Sequence, residues 1–295
     1  MVVEFLPPEI AQLREPESIA MAKLIRRSPI ITRFAAQPIA TAYGQQGQGG
    51  LPILLLHGFD SSLLEWRRLM PQLSVDRSTW AVDLLGFGFS DRPHGSFYTP
   101  PAIKEHLYYT WDTLIGQPVI LVGASMGGAV AIDFCLTYPD VVRKLVLIDS
   151  AGFTAGPNLS WLMLPGLGYL ATEFLRHPRV RRQVSLQAYA NPGLVTPDAE
   201  LCAALHLTMP RWREALITFT KSGGYNFLES KIAQLTVPTL ILWGDGDRIL
   251  GVQDAERFQQ TIADSQLAWI PQCGHVPHLE QPGLTAHHIL QFAAA

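Results

Sequence analysis

The stretch from Val119 to Gly128 constrains the fold more than any other part of the sequence. It reads Val-Ile-Leu-Val-Gly-Ala-Ser-Met-Gly-Gly, so four apolar, β-favouring residues run directly into a Gly-x-Ser-x-Gly motif. An apolar run this short predicts a buried strand, and the small residues that follow favour a tightly packed helix. So sharp a turn strains its central residue, and glycines at 123 and 127 remove the Cβ atoms that would clash. We therefore expect the Ser125 hydroxyl to stand clear of a sheet, at a helix N-terminus whose dipole favours negative charge.

Length and composition indicate a large globular core. The 295 residues suffice for one large α/β domain with an insertion, or for two small domains. The chain is 48% hydrophobic and only 16% charged, which predicts extensive burial of apolar surface. Its net charge of −3 argues against a general nucleic-acid-binding protein, which is usually basic.

The cysteines and the apolar runs predict a soluble, cytoplasmic protein. Cys135, Cys202 and Cys273 are widely spaced and odd in number, which fits neither a disulfide framework nor a metal-binding set. The first 13 residues lack the basic and apolar segments of a signal peptide. No uncharged apolar run reaches the roughly 18 residues that span a bilayer.

Strands alternate with helices along much of the chain. Predicted strands are Leu51–Leu56, Thr79–Leu85, Val119–Val122, Lys144–Ile148, Val237–Trp243 and Gln266–Ile270. Predicted helices between and after them are Leu63–Leu73, Pro101–Ile115, Asp254–Ile262 and Pro282–Phe292. This alternation predicts βαβ units and a mostly parallel, doubly wound sheet, with functional loops at the carboxyl ends of the strands. The His57-Gly58 turn, the Asp83–Asp91 loop and Ser125 all follow such strand ends.

The alternation stops between about Gly152 and Ala233, where helices follow one another. They are predicted at Trp161–Leu175, Arg179–Ala190, Pro197–Met209 and Arg211–Thr220, with prolines and glycines between them. We predict an inserted helical cap at residues 151–231 and a core domain of residues 1–150 and 232–295. Residues 1–30 are expected to form a peripheral extension with a short helix at Ser18–Arg27, followed by two strands within Ile30–Tyr43.

A serine nucleophile needs an adjacent base, and histidine is the best candidate because its ordinary pKa lies near neutrality. His275 directly follows the last strand, behind Cys273-Gly274, so it lies on a loop at the correct edge of the sheet. His278 is its rival, three residues further on. The other histidines lie in predicted helices or lack supporting context. We predict His275 as the base.

The base in turn needs an acidic group that fixes its tautomer. Trp243-Gly244-Asp245-Gly246-Asp247 closes the preceding strand, so two aspartates compete. Asp245 lies in a glycine-flanked turn and can serve as its cap, whereas Asp247 lies further out, towards the His275 loop. Asp149, at the end of another strand, is a third candidate whose simpler role is that of a turn cap. We favour Asp247.

Two backbone amides are predicted to stabilise a developing oxyanion. One is the N–H of Met126, the residue after the nucleophile, and the other is that of Phe59. Losing one such donor costs about 3 kcal/mol of transition-state stabilisation. His57 directly precedes the glycine of this turn, and we expect it to brace the loop.

These motifs together resemble the α/β-hydrolase superfamily over roughly residues 30–150 and 232–295. The resemblance rests on the order Ser125, Asp247, His275, on the His57-Gly58-Phe59 turn and on the Asp83–Asp91 loop. It implies an α/β-hydrolase fold with an inserted helical cap, the three catalytic roles just described, and an oxyanion hole at Phe59 and Met126. Residues 58–68 also resemble a branch that is common in cyanobacteria and plastids.

The superfamily hosts many reactions, so the fold alone does not name the substrate. Haloalkane dehalogenases and epoxide hydrolases use an aspartate at the position of Ser125. Carbon–carbon bond hydrolases of ring-cleavage products share the serine but usually have tryptophan after the histidine, where this chain has Val276. Haloperoxidase-like members usually lack so large a cap. We predict a serine esterase for a small apolar substrate, with no cofactor or metal; a carbon–carbon bond hydrolase and a non-catalytic binding protein are the alternatives.

The cap carries two further features. Trp161–Leu170 is strongly apolar, which fits packing on the core, a lining for an acyl or isoprenoid pocket, or contact with a membrane surface. Arg176, Arg179, Arg181 and Arg182 form a basic cluster, which is typical of a solvated helix face. Contact of this cluster with anionic lipid or an acidic substrate is the alternative.

Overall fold

A computed structural model describes residues 4–95, 98–153 and 167–295, and within them one mixed sheet organises the molecule. Its eight strands are β1 (Arg26–Ile30), β2 (Ile39–Gln46), β3 (Ile53–Leu56), β4 (Thr79–Val82), β5 (Val119–Ala124), β6 (Val142–Ile148), β7 (Thr239–Gly244) and β8 (Ser265–Ile270).

The order of strands in the sheet is β1-β2-β4-β3-β5-β6-β7-β8. β1 pairs with β2, and β2 with β4, in antiparallel fashion, whereas the remaining pairs are parallel. The chain runs outwards from β3 to β4 and then returns to place β5 on the other side of β3. Loops after β3 and β5 therefore diverge at a topological switch point, where open α/β sheets bind their ligands.

Helices cover both faces of the sheet or lie in the insertion. The α-helices are α1 (Pro16–Leu24), α2 (Met70–Leu73), α3 (Pro100–Leu114), α4 (Met126–Thr137), α5 (Leu167–Arg176), α6 (Pro178–Ala188), α7 (Pro197–Ala204), α8 (Trp212–Lys221), α9 (Gln253–Thr261), α10 (Pro277–Glu280) and α11 (Pro282–Ala294).

Strand β3 shows how the sheet divides the core into two layers. Leu54 and Leu56 pack in one hydrophobic cluster, with α4, while Ile53 and Leu55 pack in the other, with α1 and α11. All four side chains are buried, because successive residues of a strand point to opposite faces and helices cover both. Burying each such side chain contributes about 1.5–3 kcal/mol relative to exposure.

Two local predictions differ from the structure. The helix predicted at Leu63–Leu73 is instead a 3-10 turn, Leu63–Trp66, followed by the short helix α2. Pro71 explains the break, because its ring removes a backbone donor and restricts the preceding residue. Likewise, helix α1 ends at Leu24, and Arg26–Ile30, assigned partly to that helix, forms β1.

Residues 4–30 are packed more deeply than the expected peripheral extension. Leu6, Ile10, Leu13, Met21 and Ile25 are buried in the cluster that also contains β3 and β5 side chains. The apolar residues in this segment lack a clear helical or strand period, so no local pattern predicts that they are covered.

The insertion is helical wherever it is described. Helices α5 to α8 follow β6, and the chain returns to the sheet at β7. The predicted start of the first cap helix and most of the apolar Trp161–Leu170 segment lie outside the described residues. In the described ranges, no helix is both long and apolar enough to cross a membrane.

Candidate active site

Ser125 occupies the strained turn between β5 and α4. Its φ of 52° and ψ of −119° lie outside the ordinary regions for a residue with a side chain. A Cβ on Gly123 would lie 2.3 Å from the carbonyl oxygen of Gly127, and a Cβ on Gly127 would lie 2.1 Å from that of Leu56. Both glycines are therefore required for the strand, the turn and the helix to pack this closely. The turn places the Ser125 hydroxyl immediately before the start of α4.

The structure brings His275 and Asp247 to this serine. His275 Nε2 lies 2.9 Å from Ser125 Oγ, and its Nδ1 lies 2.9 Å from Asp247 Oδ2. Backbone N–H groups of Ile249 and Leu250 donate to Asp247 Oδ1 at 2.7 and 3.2 Å. Burial acts to raise the pKa of Asp247, but the hydrogen bond and charge of His275 outweigh it and lower that pKa. The arrangement can relay a proton from the serine hydroxyl to the imidazole while the carboxylate stabilises the imidazolium.

Asp149 lies behind this group and is fully buried. Its Oδ1 accepts a hydrogen bond from the Gly244 N–H at 3.0 Å, so it caps the turn after β7. Burial raises the pKa of Asp149 well above its usual value, and the neighbouring Asp247 charge raises it further. A protonated Asp149 can therefore donate a hydrogen bond to Asp247 rather than compete with it for His275.

The two predicted oxyanion donors lie on either side of Ser125 in sequence and space. Met126 is the first residue of α4, where an N–H has no intrahelical acceptor. A Cβ on Gly58 would lie 3.4 Å from Ser125 Cβ, so the loop that carries Phe59 is in contact with the serine. Among the described residues, neither the Phe59 nor the Met126 amide donates to a protein acceptor, which leaves both available to a ligand.

His57 braces this loop, as expected. Its Nδ1 lies 2.8 Å from the Gly58 carbonyl oxygen, and its Nε2 accepts from the Leu84 N–H at 3.1 Å. Burial lowers the pKa of His57 to about 4, so the imidazole is neutral at pH 7 and bonds both neighbours.

The rival residues have other partners. Asp245 Oδ1 accepts from the Cys273 N–H at 3.2 Å and stabilises the turn. His278 is buried, with Nε2 3.0 Å from Glu65 Oε1 and its ring tilted by 43° against that of Trp66, with 4.8 Å between the ring centroids. Glu65 also accepts from the Gly58 N–H at 3.2 Å. Burial acts to raise the pKa of Glu65, but contacts with His278 and His57 hold it lowered to about 2.

A cavity of about 260 Å³ opens beside the serine hydroxyl. The sheet-end loops contribute Phe59, Ser125 and His275 to its wall, and helix α6 of the insertion contributes Val184 and Ala188. The backbone N–H of His275 donates to the Ala188 carbonyl oxygen at 2.7 Å, which joins the His275 loop to the insertion. A substrate in this cavity would therefore contact the reacting groups and the insertion together.

Sequence reasoning missed two carboxylates in the cavity wall, Asp60, which is buried, and Glu65, which is half-buried. Asp60 follows Phe59 directly and accepts hydrogen bonds from Arg181 and Trp212, each at 2.7 Å. Arg181, assigned to a solvated basic face, thus turns inwards to Asp60. Two acidic residues within the Gly58–Arg68 segment were the available signal, but the partners of Asp60, and the His278 partner of Glu65, lie more than a hundred residues away.

One group of described side chains is close enough to hold a metal ion. Ligand atoms of Asp149, Asp247 and His275 lie within 4.8 Å of one another. Both imidazole nitrogens of His275 are already engaged, with Asp247 and Ser125. Since a metal needs an unprotonated imidazole nitrogen, this donor set fits a proton relay better than a metal centre.

Comparison with known proteins identifies relatives along nearly the whole chain. The alpha/beta hydrolase domain-containing protein VTE7 of Arabidopsis thaliana is 33% identical, covering 98% of this chain and 90% of that protein. The 2-hydroxy-6-oxo-2,4-heptadienoate hydrolase of Pseudomonas putida is 31% identical, covering 79% and 85%. Among solved structures, a thermophilic esterase from Thermogutta terrifontis superposes with a TM-score of 0.76 at 26% identity, covering 91% and 98%.

The family model of the alpha/beta hydrolase fold matches residues 52–282, from the start of β3 to the start of α11. This range contains the serine turn, the loop of Phe59, the insertion, and the loops of Asp247 and His275. The predicted fold class, a mostly parallel sheet flanked by helices, is confirmed by this match and by the strand order. The chain belongs to the alpha/beta hydrolase family.

Proposed function

We propose that this hydrolase cleaves a carboxylic ester of a small, largely apolar substrate through an acyl-enzyme on Ser125. The observation that carries the proposal is the continuous chain of contacts from Asp247 through His275 to Ser125 Oγ, at 2.9 Å for each step, beside a cavity. A nucleophile, a base and an orienting acid at hydrogen-bond distance are the elements that acyl transfer needs.

In the first step His275 takes the Ser125 proton as Oγ attacks the ester carbonyl. The tetrahedral oxyanion accepts hydrogen bonds from the Phe59 and Met126 amides. Its collapse breaks the ester bond, and His275 gives the proton to the departing alcohol oxygen. Water, deprotonated by His275, then attacks the acyl carbonyl and releases the acid and Ser125.

The cavity supports a substrate with an apolar portion. Phe59, Val184 and Ile249 line it and are also partly exposed, which gives its mouth an apolar rim. We propose that residues 151–231 act as a cap over a core of residues 1–150 and 232–295, so that the insertion selects the substrate. The three cysteines are free and buried, which supports a cytoplasmic site of action.

We also propose that the cap can contact a membrane surface. Leu170 and Phe174 of α5 are exposed by 68% and 66%, and Arg176 and Arg179 follow them on the surface. Apolar side chains beside basic ones suit an anionic lipid interface. Sedimentation with anionic vesicles should be lost in a Leu170→Ser, Phe174→Ser double variant; equal sedimentation of the two proteins would contradict this contact.

Carbon–carbon bond hydrolysis is the second candidate function. Its support is the 31% identity with the heptadienoate hydrolase, together with polar cavity residues Glu65, Arg67 and His278 that an apolar ester would leave unused. The position after His275 is valine here, whereas such hydrolases usually have tryptophan.

A substrate panel separates these functions. Initial rates would be measured with p-nitrophenyl esters of increasing acyl length and with a vinylogous ring-cleavage diketone. Ester turnover that is abolished in Ser125→Ala and retained in the control Ser28→Ala, a serine of edge strand β1, supports the proposal. Turnover of the diketone alone would favour the second candidate, and turnover of neither would favour a binding protein.

A further inference from the structure

Hydrogen bonds hold both ends of the loop between β3 and the Leu63–Trp66 turn. The Gly58 N–H donates to Glu65, the Ser61 carbonyl oxygen accepts from the Gly88 N–H at 3.1 Å, and the Leu63 N–H donates to Asp83 at 2.6 Å. Phe59 and Asp60 are the part of this loop for which the described residues of the core provide no backbone hydrogen bond.

Asp60 is fastened to the insertion instead. Arg181 of α6 donates to Oδ2 at 2.7 Å and to the Asp60 carbonyl oxygen at 3.3 Å. Trp212 of α8 donates to Oδ1 at 2.7 Å, and His206 Nε2 lies 3.2 Å from the same oxygen. Within the described ranges, every hydrogen bond recorded for Asp60 therefore comes from the cap, and the donors lie on three different cap segments.

The carboxylate is ionised and the backbone at this residue is strained. Asp60 is 4% exposed and has a φ of 47°, in the left-handed region that disfavours most side chains. Burial acts to raise the pKa of Asp60, but His206, Arg181 and Trp212 hold it lowered to about 2. A strained residue persists only where its surroundings determine its conformation, and here those surroundings are the three cap donors.

We propose that Asp60 is a positioning residue, which holds the Phe59 amide in the oxyanion hole by tying it to the docked cap. The proposal rests on the proposed acyl transfer at Ser125. The two oxyanion donors then depend on different parts of the molecule. The Met126 amide is held by core helix α4, whereas the Phe59 amide is held by the contacts of Asp60 with the insertion. A cap that shifts away from the core would therefore weaken catalysis as well as substrate binding.

The test compares ligands that do and do not form an oxyanion. The ketone 1,1,1-trifluoro-2-octanone adds to a nucleophilic serine and leaves a charged oxygen in the hole, whereas 2-octanone binds the same cavity without forming a stable adduct. The ratio of the two inhibition constants thus reports oxyanion stabilisation separately from cavity binding. It would be measured for the wild type, Asp60→Ala, Trp212→Phe and Arg181→Gln, alongside kcat and KM for p-nitrophenyl acetate.

Asp60→Ala is expected to lower kcat for p-nitrophenyl acetate by about 10- to 100-fold, and to lower the preference for the trifluoro ketone by the same factor. The loss should be smaller than the roughly 10²–10³-fold decrease in kcat that follows removal of a whole oxyanion donor. KM should change less than kcat. Trp212→Phe and Arg181→Gln each remove one partner and should shift both quantities in the same direction by less. The control is Arg182→Gln, which removes a neighbouring arginine that pairs with Glu200 on the cap surface and should leave the ratio as in the wild type.

Inhibition constants that rise in parallel for both ketones would overturn the proposal, because Asp60 would then only shape the cavity. An unchanged ratio in Asp60→Ala would overturn it equally. Should Asp60→Ala fail to fold, Trp212→Phe decides, since it removes the N–H donor while keeping an aromatic ring at this position. A wild type that forms no adduct with the trifluoro ketone would reject the proposed acyl transfer, and the role of Asp60 with it.

Discussion

Asp149 and Asp247 are two buried carboxyl groups behind His275, and their electrostatic coupling leads to a quantitative prediction. Their nearest oxygens fall within a group of atoms that spans at most 4.8 Å. Asp247 is held ionised by His275 and two backbone N–H groups. Burial and the Asp247 charge both raise the pKa of Asp149. Ionisation of one carboxyl disfavours ionisation of another this close, so we expect Asp149 to keep its proton to a pH well above its ordinary pKa.

The substitution Asp149→Asn imitates the protonated acid. An asparagine oxygen can accept from the Gly244 N–H, as Asp149 Oδ1 does at 3.0 Å, and its amide can donate to Asp247. Asparagine also tolerates the φ of 40° at this position better than most residues do. Asp149→Ala lacks both hydrogen bonds and leaves the Gly244 N–H unpaired, which should cost about 1–3 kcal/mol of stability.

The magnitude follows from proton linkage. Unfolded Asp149 ionises near its ordinary pKa of 3.8, whereas the native carboxyl stays protonated to higher pH. Between those values the native state binds one more proton than the unfolded state, so the wild-type free energy of unfolding falls as pH rises. The decrease is about 1.4 kcal/mol for each pH unit in which Asp149 stays protonated. Asparagine does not titrate, so the free energy of unfolding of Asp149→Asn should not show this decrease. As pH rises, the variant should therefore become more stable relative to wild type by about 1.4 kcal/mol for each such pH unit.

Urea unfolding at intervals from about pH 5 to about pH 7 measures the slope, which should be about 1.4 kcal/mol for each pH unit over which native Asp149 stays protonated. Asp76→Asn is a matched control, because it removes the same charge at an exposed position. Its stability relative to wild type should stay nearly constant over this range. If the difference in free energy of unfolding between wild type and Asp149→Asn also stayed constant with pH, the reasoning would be refuted. Native Asp149 would then be ionised throughout the range.

Two further predictions concern packing and thiol chemistry. Gly127→Ala should lower the free energy of urea unfolding by more than about 3 kcal/mol, because its Cβ would lie 2.1 Å from a backbone oxygen. Gly283→Ala, whose Cβ meets nothing closer than 3.7 Å, should stabilise α11 by up to about 1 kcal/mol; equal effects would contradict the packing argument. Burial raises the pKa of Cys135 to about 12 and also raises those of Cys202 and Cys273, so Ellman's reagent should label all three thiols only after unfolding. Rapid labelling of the native protein would contradict this.

The residues that local sequence identifies best are those fixed by a short motif at a strand end. Ser125 lies in a turn that only its neighbouring glycines permit, and that requirement is visible in five consecutive letters. His275 and Asp247 follow strands β8 and β7, whose carboxyl ends meet at the same edge of the sheet. Parallel pairing therefore brings them together, and the sequence could predict their proximity without predicting any distance.

Side chains whose roles depend on distant partners could not be predicted in the same way. Asp60 contacts Arg181, His206 and Trp212, which lie 121, 146 and 152 residues away. No local pattern predicts how an insertion docks, because its helices can pack on the core in many registers. Glu65 resembles an ordinary surface acid within an amphipathic segment, and only the burial of His278 beside it reveals its position.

The boundaries of elements were predicted less well than their existence. Pro71 interrupts a helical apolar pattern that otherwise continues, and β1 begins two residues after α1 ends. Both cases involve backbone restrictions that a hydrophobic period does not register. Leu6, Ile10, Leu13, Met21 and Ile25 are buried in one cluster with side chains of β3 and β5, which is a property of the assembled core.

Covalent labelling tests the central claim most directly. The protein would be incubated with a fluorophosphonate, and the adduct would be measured by intact mass and located by peptide sequencing. We expect one adduct, on Ser125, which is absent in Ser125→Ala and forms far more slowly in His275→Gln because the base is missing. An adduct that persists in Ser125→Ala, or a wild type that stays unlabelled, would contradict it.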